Sequence, residues 1–412
     1  MKRHWILITV LFLILVVAVL GGFTLLWSFS VFVVVLLLLG YLWSRLSTRR
    51  LECNAKETPD ICQVDEHFEE EFTITNRSLI PSPLIEACED TDLPGYKNEL
   101  TLSLSSRSSY TWRTEVHCRR RGPYRVSAIK VKASDPLGFW PVEQFISKGK
   151  QIVIYPATVE LPYFELSPEQ QSGMGSNRWL ATAVGPNASR VREYINGDSL
   201  RHIHWHTTAH TGNLMVSEFD PDRAKSGYQD IWIVLDMHRS SQLGEDDETT
   251  EEYGITVAAS LAKKYLDGGK KVGLITTGDR SYLLTPQTGD EHLQNILHSL
   301  ALIKATGDMP IDSLLDSRTE QLAADSIIIV IMPSVNPGIA KSLRHVIDRR
   351  GKVIVILLDS FSFGGISTPD NNPRHLSSSG FHVYMVRQGM EISRGLDSRL
   401  YSSRGLYIRD RV

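Results

Sequence analysis

The N-terminal part of the sequence is a long apolar stretch without charged side chains. Residues 5–44 contain no Asp, Glu, Lys or Arg. One membrane-spanning helix needs about 20 apolar residues, so this stretch is long enough for two spans. The glycine pair at 21–22 can adopt the backbone angles of a tight reversal between them. The sequence therefore predicts a hairpin of two transmembrane helices, at about 5–21 and 25–43, within an N-terminal segment 1–50.

Basic residues flank this apolar stretch on both sides, and the turn between its halves has none. They are Lys2, Arg3, Arg45, Arg49 and Arg50. Because lysine and arginine concentrate on the cytoplasmic side of membrane spans, both ends of the hairpin and the soluble remainder are expected in the cytoplasm. A cleaved signal peptide is the alternative interpretation, but a second apolar run follows at once and no convincing cleavage pattern is present.

The rest of the chain has the composition of an ordinary globular protein. The whole chain of 412 residues exceeds what one core normally supports, so two soluble domains are expected beside the membrane anchor. A net charge of −3 gives no reason to expect a nucleic-acid partner. Cys53, Cys62, Cys88 and Cys118 have no zinc-like spacing, and in a reducing compartment they are predicted to be free thiols.

Residues 51–165 have the pattern of a β-sandwich domain. Short segments rich in β-branched and aromatic residues, such as EEFTITNRS, ELTLSLSS and SYTWRTEVHC, alternate with turn-rich pieces such as IPSP and DPLG. The basic run 119–121 is interpreted as a solvated turn. A contact for lipid headgroups or for an acidic partner is the alternative.

Residues 228–412 alternate apolar strands with amphipathic helices. IWIVLDMH, KVGLITTGD, DSIIIVIMPS and KVIVILLDS are near-continuous apolar runs, as buried parallel strands are. Segments between them, such as TTEEYGITVAASLAKKYLD, have helical spacing. This alternation predicts a doubly wound parallel α/β domain. Residues 166–227 are predicted to form the junction between the two domains.

The junction contains a dense run of polar, aromatic and turn residues at 191–219. Its pattern is carried by Arg192, Glu193, Tyr194, Gly197, Asp198, Arg201, Ile203, His204, Trp205, Thr208, Ala209, Gly212, Leu214, Val216 and Glu218. This pattern resembles the signature of the bacterial family known as domain of unknown function 58. His210 departs from it, because the family usually has arginine there. The segments RRRGPYR and SDPLGFW are also similar to the β domain of that family.

The resemblance implies an architecture and a class of partner. Members of the family commonly have an N-terminal hairpin of two spans, and their C-terminal half resembles a von Willebrand factor A domain. They tend to be encoded beside MoxR-type AAA+ ATPases, and no enzymatic activity is established for them. The resemblance therefore implies a MoxR-type ATPase as the protein partner and the bacterial inner membrane as the location.

Three interpretations of the 191–219 segment remain open. Its charge pairs and aromatic residues can form a polar interface that holds the two domains together, because buried charges require partners. They can instead form a docking surface for a partner protein. The third interpretation is a metal or hydrolytic site. His202, His204 and His206 would share one face of a strand, and Asp198 or Glu218 would complete the ligand set.

A von Willebrand A-like domain, if present, implies a Mg²⁺ site at the carboxyl end of its sheet. Asp236, Ser240 and Thr306 fit the expected oxygen ligands, but His238 replaces one serine. The third strand ends in Met-Pro-Ser at 332–334 without the expected aspartate. Too few protein oxygens remain for tight Mg²⁺ binding, so the site is expected to be weak or absent and no cofactor is predicted.

These observations predict a membrane-anchored, non-enzymatic scaffold or adaptor. Its cytoplasmic domains would present a protein-binding surface to a MoxR-type ATPase in the assembly or regulation of an envelope complex. No nucleophile motif or phosphate-binding glycine loop is recognisable. A metal-dependent enzyme that uses the histidine-rich segment is one alternative. A structural envelope protein without an ATPase partner is the other.

Overall fold

The computed structural model divides into two compact units, Met1–Tyr155 and Pro156–Val412. We call them the β-rich unit and the α/β unit. The first predicted span, 5–21, lies outside the residues that the structure describes. The described residues are 24–56, 59–166, 188–195, 203, 205–219, 230–322, 326–336, 338–348, 352–365, 376–377 and 381–400.

The β-rich unit begins with a long apolar helix, α1 (Thr24–Thr48), which contains the second predicted span. A helix of 25 residues is about 37 Å long, which is enough to cross the hydrocarbon core of a bilayer. Large apolar side chains such as Leu25, Phe29 and Phe32 are exposed along it. Among the described residues, this is the one helix long and apolar enough to span a membrane. Of the two predicted spans, only the second lies within the described residues, and it is helical.

Three sheets follow the helix within the β-rich unit. Their orders are β1-β3-β6, β2-β10-β7 and β5-β4-β8-β9. All described strand pairs in them are antiparallel except β2 with β10. The strands are β1 (Leu51–Lys56), β2 (Ile61–Gln63), β3 (His67–Asn76), β4 (Ser82–Glu89), β5 (Glu99–Leu104), β6 (Ser109–His117), β7 (Gly122–Val126), β8 (Ile129–Ser134), β9 (Val142–Phe145) and β10 (Lys150–Tyr155).

Alternating apolar residues of these strands form two cores. Phe72 and Ile74 of β3 are buried with Ile85 of β4 and Val131 of β8, so one core joins the first and third sheets. The other core lies around Ile152 of β10 and the strands next to it. Period-two burial along β3 explains why EEFTITNRS is recognisable as a strand.

A buried polar network lies at the break between β7 and β8. Ser127 has a positive φ of 61° at this break. Its N–H donates to Glu89 Oε1 at 2.7 Å, and its hydroxyl donates to Glu70 Oε1 at 2.7 Å. Both glutamates are buried. Nearby, Arg121 of the basic run is also buried, so the prediction of a fully solvated turn at 119–121 is wrong for this residue.

The α/β unit contains the predicted alternation of strands and helices. Its elements are β11 (Ala188–Glu193), α2 (Trp205–Thr211), β12 (Met215–Phe219), β13 (Asp230–Leu235), β14 (Gly244–Glu245), β15 (Glu248–Thr249), α3 (Thr250–Asp267), β16 (Lys271–Thr277), β17 (Ser281–Gln287), α4 (Asp290–Leu302), α5 (Ile311–Arg318), β18 (Ile327–Met332), α6 (Ile339–Asp348), β19 (Lys352–Leu358), β20 (His382–Val386), α7 (Ile392–Gly395) and a 3-10 turn (Ser398–Leu400).

Six strands form its main sheet in the order β17-β16-β13-β18-β19-β20. Five of them are parallel, and β17 pairs antiparallel with β16 at one edge. Helices cover both faces. Val234 and Val330 face a core that contains Leu314 of α5 and Leu343 of α6. On the opposite face, Leu235 and Ile331 lie against Gly254 of α3. Burial on both faces explains the continuous apolar strand sequences.

Helix α3 shows how local sequence sets an element of this unit. Thr249 caps its start by accepting the N–H of Glu252 at 3.2 Å, which is the pattern of a capping box. The helix ends at Asp267, and Gly268 forms its C-terminal cap. Residues such as Ile255 and Ala262 share its buried side, as the helical spacing predicted.

Candidate functional site

The end of α1 is held by a tight turn, residues 134–140, which contains the predicted SDPLGFW motif. Asp135 is buried and accepts the N–H groups of Leu137 at 3.1 Å and Trp140 at 2.7 Å. The turn thus presents the carbonyl of Trp140, which accepts the hydroxyl of Ser44 at 2.5 Å. The SDPLGFW motif of the β-rich unit therefore forms a hydrogen bond to the C-terminal end of α1, the candidate membrane span.

Further contacts seat the same end of α1 on the sheet β5-β4-β8-β9. The Trp140 ring lies edge-on to Tyr41 with ring centroids 5.6 Å apart. Gln144 of β9 donates its side-chain amide to the carbonyl of Thr48 at 2.6 Å. Ser82 of β4 donates to the carbonyl of Ser47 at 3.3 Å. These hydrogen bonds use carbonyls near the helix C-terminus, which lack partners within the helix itself.

The family motif forms a small hairpin with a helix between its strands. Strands β11 and β12 pair antiparallel, with Arg192 opposite Val216 and Arg190 opposite Glu218. Tyr194 donates its N–H to Leu214 at 2.8 Å and prolongs the ladder. We call residues 188–219 the motif hairpin. Its elements could not be located from apolar periodicity, because it is short and mostly polar.

Two motif residues shape the turn from α2 into β12. Thr208 accepts the N–H of Met215 at 3.0 Å through its hydroxyl. Gly212 has a φ of +73°, which favours glycine over residues with a Cβ. Ile203 forms an isolated bridge with Val216 and is buried. Gly197, Asp198, Arg201, His202 and His204 lie outside the described residues.

Three apolar side chains of the motif hairpin are exposed. Trp205 is 68% exposed, Ile195 is 64% exposed and Leu214 is 45% exposed. Indole rings are among the side chains that contribute most to protein–protein affinity. Among these three side chains, Trp205 is the one on which the docking-surface interpretation depends most.

The histidine-based metal site needs a strand geometry that is absent at His206. Residues from Trp205 onward are helical, so His206 lies on α2 rather than on a strand with His202 and His204. Its ring is instead 5.0 Å from that of His210, one helical turn away. The prediction that one strand face aligns the three histidines is therefore wrong for His206.

The predicted magnesium ligands lie at the carboxyl edge of the main sheet. Asp236 follows β13, is 4% exposed, and accepts the N–H of His238 at 3.0 Å. The Ser240 hydroxyl lies 2.9 Å from His238 Nδ1. Burial, opposed by hydrogen bonds from His238 and Ser241, raises the pKa of the Asp236 carboxyl.

The segment with Thr306 is joined directly to this loop. Gly307 forms a bridge with His238, donates to the carbonyl of Met237 at 3.2 Å, and accepts from Arg239 at 3.0 Å. A Cβ at Gly307 would lie 2.5 Å from the carbonyl oxygen of Thr277, so only glycine fits. The structure therefore brings the loops of Asp236, Ser240 and Thr306 to one edge.

Asp312 is a further carboxylate at this edge that the sequence did not single out. It lies in the first turn of α5, and its negative charge contributes to the raised pKa of Asp236. Its Oδ1 atom is buried without a hydrogen-bond partner among the residues that the structure describes, and a Cβ at Gly338 would lie 2.8 Å from its Oδ2. No spacing rule links position 312 to the loop after β13, so no sequence signal could have found it.

This donor set does not match that of a tight Mg²⁺ site. Asp236 Oδ1 already accepts the backbone N–H of His238, and the Ser240 hydroxyl contacts the Nδ1 atom of the same residue. The segment 332–334 supplies no carboxylate. Within the described part of the chain, no group of three His, Cys, Asp or Glu residues is arranged to hold a metal ion. We therefore assign no metal-dependent reaction to this edge of the sheet.

The described chain has an apolar helix that could span a membrane, a β-rich unit and an α/β unit. It is therefore a protein of more than one domain with a candidate membrane helix. Residues 190–361 match the family described as "Protein of unknown function DUF58". That match includes most of the motif hairpin and much of the main sheet. The resemblance predicted from the motif is therefore confirmed.

A curated relative supports the same assignment. The chain is 23% identical to the uncharacterized protein YeaD of Bacillus subtilis (strain 168) over 308 residues, which cover 73% of this chain and 74% of YeaD. The similarity thus extends well beyond the family segment.

Two solved structures that resemble this chain each cover about a quarter of it. The CARDB domain of the PF1109 protein from Pyrococcus furiosus is 17% identical, with 25% of this chain and 91% of that chain covered and a TM-score of 0.19. A beta-glucosidase from Listeria innocua is 14% identical, with coverages of 25% and 16% and a TM-score of 0.17. At such scores neither similarity supports an argument about function.

Proposed function

We propose that this chain is a membrane-anchored, non-enzymatic scaffold that docks a partner protein. The observation that supports the proposal most is the exposure and hydrogen bonding of α1. Its sides expose large apolar residues, while its C-terminal end is bonded to the β-rich unit through Ser44, Thr48 and Trp140. A helix that is hydrogen-bonded to a folded unit near its C-terminal end and exposes apolar side chains suits insertion in lipid beside that unit.

The anchor is proposed to be a hairpin in the bacterial inner membrane. Residues 5–21 are proposed to supply the first span, and the basic residues at both ends favour a cytoplasmic location for both units. Arg45 lies over the ring of Tyr41 at 5.6 Å, which suits a membrane interface at this end of α1.

The two units are proposed to be a β-sandwich and a von Willebrand A-like domain. A core shared by two sheets supports the sandwich. The strand order β17-β16-β13-β18-β19-β20, with an antiparallel edge strand, supports an open doubly wound domain. Ligands of such domains bind at the carboxyl edge of the sheet, where Asp236 lies.

The docking surface is proposed to be the exposed side of the motif hairpin around Trp205, Ile195 and Leu214. Exposed apolar side chains next to polar residues suit a partner interface. The family resemblance suggests a MoxR-type AAA+ ATPase as the partner, acting in the assembly or regulation of an envelope complex.

Nucleotide-dependent binding tests this proposal directly. The full-length protein in detergent or nanodiscs is tested for binding to the MoxR-type ATPase of the same organism, with ATP analogue, ADP or no nucleotide. We expect nucleotide-dependent binding that Trp205→Ala weakens roughly tenfold or more, since buried interface tryptophans often contribute about 2 kcal/mol. Leu214→Ser is expected to weaken it less.

Phe361→Ala is the matched control, because Phe361 is equally exposed in the α/β unit but outside the motif hairpin. It should leave binding unchanged. Absence of binding in every nucleotide state would reject the ATPase as partner and favour a structural envelope protein. Equal weakening by Trp205→Ala and Phe361→Ala would reject the motif hairpin as the docking surface.

A further inference from the structure

The turn 134–140, which contacts the end of α1, exposes a run of apolar residues. Residues 136–139 (Pro-Leu-Gly-Phe) are all exposed, with Leu137 at 55% and Phe139 at 37%. The one charged residue of this motif is Asp135, which is buried and accepts two backbone N–H groups. Four consecutive exposed apolar residues without a charge are unfavourable in water, so a partner is expected to cover them.

Local chemistry fixes the backbone of this turn. Gly138 donates its N–H to the carbonyl of Asp135 at 2.9 Å, which closes a four-residue turn. Pro136 presets the φ angle of the second position, and Gly138 has a φ of +75°. A rigid turn therefore presents the apolar side chains, so little conformational entropy is lost when a partner covers them.

The turn lies against the last helical turn of the predicted span 25–43. A Cβ at Gly40 would be 3.4 Å from Asp135 Oδ2 and 3.5 Å from the Trp140 ring. Ser44, one helical turn further on, donates its hydroxyl to the carbonyl of Trp140. Because Gly40 lies near the end of the predicted span, the turn is expected at the boundary between the hydrocarbon core and the headgroups.

The side chains next to the turn are of the kinds that membrane interfaces contain. Tyr41 lies edge-on to Trp140, and Arg45 lies over the Tyr41 ring at 5.6 Å. Tyrosine and tryptophan are enriched at the headgroup level, and arginine extends its charge towards it. Leu84 of β4 is 42% exposed and pairs with Ser134 at the start of the turn. Leu84 therefore extends the apolar surface of the turn onto the sheet.

We propose that Leu84, Leu137 and Phe139 insert into the lipid interface beside α1. Their partner is the bilayer itself, at the boundary between headgroups and acyl chains. This inference rests on the proposed membrane anchor, because α1 brings the turn to that depth. A single helix can tilt in the bilayer, and a second point of insertion restricts the tilt of the β-rich unit.

Site-specific fluorescence of the full-length protein tests the insertion. Leu84→Cys, Leu137→Cys and Phe139→Cys are labelled with the environment-sensitive dye NBD and reconstituted in phosphatidylethanolamine–phosphatidylglycerol vesicles. NBD emission shifts to shorter wavelength in apolar surroundings, and spin-labelled lipids quench it on contact. We expect this blue shift at all three positions. A quencher near the headgroups should remove roughly half of the emission or more, since interfacial residues lie about 5–10 Å into the boundary.

Ile61→Cys is the matched control, because Ile61 is 47% exposed in the same unit but lies on β2, in a different sheet from β4. Its label should emit as in water and resist quenching. Phe32→Cys, on an exposed side of α1, reports the anchor itself and should be quenched by lipids labelled deep in the acyl chain. The parent chain, treated in the same way, gives the background from the native cysteines.

The two proposals fail in different ways. Quenching at Phe32→Cys without quenching at Leu137→Cys and Phe139→Cys would overturn the insertion and leave the anchor in place. A blue shift at the turn that no spin-labelled lipid quenches would also overturn it, because protein, such as segment 5–21, would then cover the turn. Absence of quenching at Phe32→Cys would reject the anchor and the insertion together.

Leu137→Glu combined with Phe139→Glu tests whether these side chains drive the insertion. Two charges at the boundary oppose burial in lipid, so the label at Leu84→Cys should lose most of its quenching. The label at Phe32→Cys should remain quenched, and the circular dichroism spectrum should remain that of the parent. Ile61→Glu should leave the label at Leu84→Cys quenched. Unchanged quenching there in the double variant would contradict the proposal, because α1 alone would then set the depth of the sheet.

Discussion

Asp236 is a carboxylate whose environment, rather than its sequence position, sets its chemistry. Its position after β13 predicts a metal ligand, and the structure surrounds it with a backbone N–H, a serine hydroxyl and the nearby charge of Asp312. Burial raises its pKa above the ordinary value of an aspartate. A raised pKa means that the charged form destabilises the fold at neutral pH.

Asp236→Asn should therefore be at least as stable as the parent at pH 7. Asparagine keeps the oxygen that accepts from His238 and removes the buried charge. As pH falls through the raised pKa, the parent carboxyl becomes protonated and its penalty disappears, so the difference between the proteins should shrink. Chemical unfolding at several pH values between about 4 and 7 measures this.

Asp308→Asn is the control, because Asp308 lies at the same edge but is exposed and paired with Arg239 at 3.4 Å. It should leave the pH dependence of stability unchanged. Millimolar Mg²⁺ should hardly alter the unfolding of either protein if the site is weak. A large Mg²⁺ stabilisation of the parent that Asp236→Asn removes would contradict this expectation.

At the scale of elements, the chain after β10 is bound tightly to the α/β unit. Residues 156–166 run along α3, where Val159 donates its N–H to Ser260 at 2.9 Å. Lys264 of α3 donates to the carbonyls of Leu161 and, at 2.5 Å, Phe164. Phe164 packs against Tyr265 and Tyr384. The sequence assigned most of this stretch to the β domain.

Lys264→Met should loosen this stretch. Methionine keeps the apolar stem but leaves two carbonyls without a charged donor, which should lower the free energy of unfolding by about 1–2 kcal/mol. Chemical unfolding measures the loss, and faster proteolysis within 156–166 would locate it. Lys263→Met is the matched control, because Lys263 is the exposed neighbour on the same helix. An equal effect of both substitutions would contradict the assigned role of Lys264.

At the scale of the whole molecule, the cysteines can report which side of the membrane the β-rich unit occupies. Cys62 and Cys118 are buried in the same core, and each thiol contributes to the pKa of the other. Burial raises the pKa of the Cys118 thiol to about 12, so it reacts slowly while the protein is folded. A neighbouring thiol pair remains reduced in the cytoplasm and oxidises outside it.

We expect all four cysteines to be reduced in cells if the unit faces the cytoplasm. Cells are acid-quenched, and the protein is unfolded and labelled with a bulky maleimide that shifts its gel mobility once per thiol. Cys62→Ala should carry three labels, and it marks the gel mobility of a chain with one thiol fewer. Two labels instead of four in the parent would contradict the cytoplasmic orientation.

Several features of the fold were predictable because they depend on local sequence. Charge-free length identified α1, period-two patterns identified β3 and β6, and the continuous apolar runs identified β13 and β18. Other elements could not be predicted from local sequence. The edge strand β17 alternates exposed and half-buried residues without an apolar run, and α5 has only eight residues. The motif hairpin was recognisable by its residues but not by its shape.

The sequence by itself determined which segments favour lipid, which form buried strands and which family the chain resembles. Transfer free energy, periodicity and motif identity are properties of neighbouring residues. Only the tertiary structure decided that Asp312 acts on Asp236, that the turn 134–140 lies against α1, and that Lys264 holds residues 156–166. These relations join residues far apart in the chain, because sheet register and helix packing set them rather than spacing.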